Sequence, residues 1–182
     1  MSHTQRMFIR IALSVLTTSL LISTVTALPQ STCPAGTYSA GVACHPCPPG
    51  TFQPNSGEDS CNSVDPGYFA PAPGSTAQSP CSPGSFSPGT AATCTACPQG
   101  FECPATAMSA PIPCPAGTYG YAAGAGSCAP CPAGTYQSAM GAVSCTPTDP
   151  NFYAPAPGST VESPCQPGTC SPGFAAICTP CA

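Results

Sequence analysis

Four pairs of cysteines stand at Cys-x-x-Cys spacing: Cys44/Cys47, Cys94/Cys97, Cys128/Cys131 and Cys178/Cys181. That spacing suits a zinc site or a disulfide framework, and the compartment decides between them. His45 lies inside the first pair, but the equivalent position of the internal copy described below is Ala129, so it reads as a linker residue rather than a ligand. Glu58 and Asp59 are adjacent acids beside Gly57; a glycosidase pair needs a shaped cleft, and a calcium site needs a loop motif that is absent. Serines and threonines are abundant, yet a nucleophile needs a base and an oxyanion stabiliser. Beyond residue 27 the only histidine is His45, and there is no Lys or Arg. The expectation is no catalytic residue, no metal and no cofactor.

The N-terminal segment argues for an oxidising compartment. Arg6 and Arg10 precede an apolar run diluted by Ser and Thr, and Val25-Thr26-Ala27 supplies small residues for cleavage. This reads as a secretory signal peptide over residues 1–27; the run is short and diluted for a bilayer span, so no membrane anchor is expected once it is removed. The remaining chain, Leu28 to Ala182, has 155 residues, all six acids and a net charge of −6. Without cations it cannot neutralise phosphates, which excludes nucleic acid as a partner. Leu, Ile, Val and Phe together number 13 of those 155 residues, too few to offset the ordering entropy by burial. All 16 cysteines lie here, and in a secreted chain an even set means disulfides; zinc is set aside on the same ground.

The chain is internally duplicated: residues 44–97 align without a gap on 128–181, with 32 of 54 identical. Within the duplication runs a finer period. Nine modules start at 33, 47, 64, 81, 97, 114, 131, 148 and 165, mostly 17 residues apart. Three residues after each start is Gly, or Asn151, the residue that best replaces Gly where φ is positive. Five after it is an aromatic, except at Glu102 and Cys170. Proline and glycine imply a turn, the aromatic a short extended segment. Stacking of modules is expected to use this aromatic.

Spacing pairs each start with its closing cysteine: Cys33–Cys44, Cys47–Cys61, Cys81–Cys94, Cys114–Cys128, Cys131–Cys145 and Cys165–Cys178. Cys97 with Cys103 and Cys170 with Cys181 complete the set. Connectivity around Cys94, Cys97, Cys103 and Cys114, and around Cys170 and Cys181, is open at this stage, since sequence alone does not give it. The modules from Val64 and Thr148 lack both cysteines, with Gln78 and Glu162 at the closing positions. Extra proline is expected to stand in for part of their missing staple. Each also has adjacent aromatics, Tyr68-Phe69 and Phe152-Tyr153. With Phe69 and Tyr153 assigned to stacking, Tyr68 and Phe152 become candidate binding residues; the alternative is that they pack against neighbouring modules.

The stretches CHPCPPGTFQPNSGEDSC, CAPCPAGTYQSAMGAVSC and CPQGFECP resemble the cysteine-rich repeats of the ephrin type-A/B receptor-like family and, more distantly, those of tumour-necrosis-factor receptors. The resemblance implies small disulfide-rich repeats: short β-hairpin modules stacked into an elongated extracellular rod, with no large core. It does not imply kinase activity. The domain reading is a repeat block over 28–97, a short connecting module at 97–113 and a second block over 114–182. The expected role is secreted, non-enzymatic binding or adhesion toward an extracellular protein or glycan surface. The alternative is a structural spacer or surface-coat protein. No Asn-x-Ser/Thr site occurs, while the Ser/Thr tracts at 75–79 and 159–163 are flanked by proline and suit O-glycans.

Overall fold

A tight turn opens each module. In the module from Cys47, Thr51 donates its N–H to the Pro48 carbonyl at 3.1 Å and its hydroxyl to the same oxygen at 2.7 Å. Gly50, the third turn residue, has φ +84°, the left-handed value a type II turn requires there. Thr37, Ser85, Thr118, Thr135 and Thr169 close their turns through the same hydroxyl contact. The Thr of the repeat is therefore part of the turn.

The computed structural model describes residues 32–181; the expected signal peptide at 1–27 lies outside them. After its turn each module runs into a short strand that pairs antiparallel with a second, giving nine two-stranded sheets among the described residues. The first hairpin joins Thr37–Ala40 to Ala43–Pro46. The others have two-residue strands, as where Thr51 faces Ser63 and Phe52 faces Asn62. The chain from Thr32 forms one unit. The fold is thus one of small disulfide-rich hairpin modules without a large core.

Backbone bonds join each module to the next in a fixed pattern. The start donates back to the carbonyl three residues into the preceding module, as Cys81 to Gly67 at 2.8 Å and Cys114 to Gly100 at 2.9 Å. The +3 residue donates forward to the next module's +6 carbonyl, as Gly67 to Ser87 at 2.8 Å and Gly100 to Gly120 at 2.9 Å. The loop returns to the preceding start, as Gly124 to Cys97 at 2.7 Å and Gly141 to Cys114 at 2.8 Å. The pattern runs unbroken through 97–113.

A second relation skips one module. A Cβ on Gly50 would stand 2.7 Å from the carbonyl oxygen of Thr90, two modules on, and one on Gly134 2.8 Å from that of Phe174. Gly67 lies still closer to the Ala107 carbonyl. Modules therefore stack directly on alternate neighbours. The result is two columns, odd-numbered modules in one and even-numbered in the other, laced together by the bonds between successive modules.

The centre of the stack is lined by the start, +3 and +6 positions: Cys47 and Gln53, Val64 and Ala70, Cys81 and Ser87, Cys97 and Cys103 are all buried. Cysteines dominate this list, so the interior is mostly sulfur and backbone. The aromatics at +5 do not belong to it. Phe52, Phe69 and Phe86 are half-buried, outside this most buried set, and successive modules are also joined by backbone hydrogen bonds.

Candidate functional site

The two modules without cysteines hold the sequence candidates, and their construction differs from that of their neighbours. Val64 and Thr148 occupy the vacated start positions and are both 3% exposed. Thr148 uses its hydroxyl to accept the N–H of Ala175 at 2.8 Å. Across the module, Gln78 Oε1 accepts the N–H of Asp65 at 2.7 Å, while Nε2 donates to Asp65 Oδ2 at 2.6 Å. In the copy, Glu162 Oε2 accepts the N–H of Asp149 at 2.8 Å. The closing side chain and the residue after the start are thus clasped by hydrogen bonds where other modules have a disulfide. Proline was expected to substitute in part; the side-chain clasp adds to it, and its reach of 13 residues depends on the hairpin bringing the two ends together.

The eight disulfides are Cys33–Cys44, Cys47–Cys61, Cys81–Cys94, Cys97–Cys103, Cys114–Cys128, Cys131–Cys145, Cys165–Cys178 and Cys170–Cys181, and no cysteine is free. Cys103 occupies a buried +6 position, which lets a six-residue separation reach the start, Cys97.

Tyr68 and Phe152 are half-buried, each in the first strand of its hairpin, Tyr68 opposite Pro80 and Phe152 opposite Pro164. Their neighbours Phe69 and Tyr153 are half-buried too, so burial draws no line between the two kinds. The structure does not bring Tyr68 and Phe152 together. They stand in the third and eighth modules, hence in different columns. The duplication shifts the chain by five modules, an odd number, so every copied residue is carried to the other column. The most prominent exposed ring is instead Tyr121, 70% exposed, tilted against Tyr119 at a centroid distance of 6.0 Å. Its carbonyl accepts Gln99 Nε2 at 3.0 Å. It sits two residues past the repeat's aromatic, a position no periodicity marks.

His45 is exposed, with its ring 5.8 Å from that of Tyr38. Among the described residues, no three His, Cys, Asp or Glu side chains converge as a metal site would require, and no helix is long and apolar enough to cross a membrane.

Stacked hairpins, a sulfur-lined interior and a repeating turn define a disulfide-rich extracellular-type repeat protein. The family described as tyrosine-protein kinase ephrin type A/B receptor-like matches residues 36–81 and 117–165, more than half of the chain, and the chain belongs to it. Both segments begin at a +3 glycine, end at a start cysteine, and contain one of the modules without cysteines. No curated protein matches the chain.

Proposed function

We propose that the protein is secreted and acts without catalysis, as an extracellular or cell-surface binding and adhesion module. The observation that carries this reading is the family membership of a chain whose 16 cysteines are all oxidised. Such a framework persists only outside the reducing cytosol, and it fits removal of residues 1–27 on export. The partner is an extracellular protein or glycan surface. The absence of Lys and Arg after residue 27 makes it an uncharged or cationic surface rather than an anionic one.

Tyr68 and Phe152 remain the candidate contact residues. The test is to change Tyr68→Ser and Phe152→Ser together, verify the eight disulfides by peptide mapping, and compare retention of tagged protein on its native cell surface. Loss of retention is the expected result. Undiminished retention removes these residues from the site, and release of the unaltered protein wholly into the medium favours a spacer over an adhesion module.

A further inference from the structure

One disulfide lies outside the plan of the others. Six of the eight contain a buried cysteine: Cys33, Cys47, Cys81, Cys97 with Cys103, Cys114 or Cys131. Cys165–Cys178 has none, but still joins a start to its closing position. Cys170–Cys181 has neither feature. Cys170 is half-buried at a +5 position and Cys181 is exposed.

The ninth module is shut without this bond. Cys165–Cys178 closes it, Thr169 and Cys170 face Pro180 and Thr179 across the hairpin, and Cys181 donates its N–H to the Gly168 carbonyl at 3.1 Å. The internal copy shows the same construction with no second bond. There Phe86 stands in the place of Cys170 and faces Thr95 in the same register, and Cys81–Cys94 alone closes the module. Cys97, the counterpart of Cys181, makes the same backbone bond, to Gly84 at 2.8 Å, but is 0% exposed and paired with Cys103. The hairpin therefore forms with an aromatic at +5, and Cys170–Cys181 is added to a fold that does not depend on it.

A disulfide exchanges when a thiolate reaches one sulfur and the other can leave as a thiolate. Cys44 is exposed as well, but attack there would expel Cys33, 1% exposed, as an anion in the interior of the stack. Attack on Cys181 expels the half-buried Cys170, which has access to water. Module 165–181 contains no charged residue, so no carboxylate of its own repels an incoming thiolate.

We propose that Cys170–Cys181 is an exchange site through which a free thiol becomes covalently attached to the protein at Cys181. The incoming thiolate bonds to Cys181 Sγ, the bond between the two Sγ atoms breaks, and Cys170 leaves as a thiolate that takes up the proton given up by the incoming thiol. No external oxidant or reductant is consumed. Cys170 can then attack the mixed disulfide and release the attached group, so attachment is reversible. The site is independent of Tyr68 and Phe152.

The test exposes the oxidised secreted protein to glutathione under native conditions, quenches it with an alkylating reagent and maps the adducts by mass spectrometry. Glutathione on Cys181 with alkylated Cys170 is expected first, at least ~10-fold faster than opening of any other disulfide, with the scattering profile unchanged. First opening at another disulfide overturns the proposal, as does loss of the folded profile when Cys170–Cys181 opens. A second arm offers a protein bearing a single exposed reduced cysteine. A cross-link at Cys181 makes protein thiols a source, and reaction with glutathione alone restricts the source to small thiols; either result supports exchange at this bond. The variant Cys170→Phe/Cys181→Ser places at 170 the residue the fold already accepts at 86. It is expected to form the other seven disulfides and to take up no thiol at residue 181. Failure to form them would make Cys170–Cys181 a structural staple and overturn the proposal.

Discussion

At the residue scale the +3 position carries two demands at once. It needs a left-handed backbone, and it needs the absence of a side chain wherever a carbonyl two modules on presses against it. The first demand is legible in sequence as a glycine series with one asparagine, and Asn151 indeed has φ +66°. The second is invisible there, because it involves residues about 40 positions apart. Asn151 is exposed, whereas its counterpart Gly67 is buried under the Ala107 carbonyl. Gly67→Asn is therefore expected to destabilise by about 1–3 kcal/mol through overpacking, while Asn151→Gly shifts stability by less than about 1 kcal/mol. Thermal midpoints of the two oxidised variants check the asymmetry; equal effects would contradict alternate-module stacking.

At the element scale, the missing staples were legible as paired absences, since losing one partner alone would strand a thiol. What replaces them was not, because a hydrogen-bonded clasp leaves no compositional mark. Gln78 holds Asp65 at two points and Glu162 holds Asp149 at one. A carboxylate only accepts, so Glu162 cannot donate to the Asp149 side chain as the Gln78 amide does to Asp65. Glu162→Gln is expected to complete the second contact and tighten the eighth module by about 0.5–1 kcal/mol, the scale of a solvent-accessible hydrogen bond. Limited chymotrypsin digestion reads the change. In the unaltered protein the first cuts should fall near Tyr68-Phe69 and Phe152-Tyr153, where no disulfide closes the hairpin. In Glu162→Gln, cleavage at Phe152-Tyr153 should slow while that at Tyr68-Phe69 stays unchanged. Faster cleavage at both sites would show that the clasp does not hold the module.

At the scale of the whole molecule, the hairpin modules and the disulfide-rich class follow from composition and a period near 17, which between them leave no other way to offset chain entropy. The two-column arrangement does not follow, because a linear period does not state how many modules make one turn of the stack. The backbone ladder that joins successive modules was likewise not legible, because it has no residue-type signature. With so few large apolar side chains inside, stability rests on the cross-links, each loop of about 15 residues removing roughly 3 kcal/mol of unfolded-state freedom in a chain-entropy treatment. Chelators are expected to leave the fold intact, since among the described residues no ligand cluster exists for them to strip. The decisive measurement is small-angle scattering of the secreted protein before and after complete reduction at room temperature. Reduction should convert the ordered stack to a coil with a radius of gyration near 40 Å, as expected for an unfolded chain of this length; a reduced protein that keeps the scattering profile of the oxidised one would contradict the account.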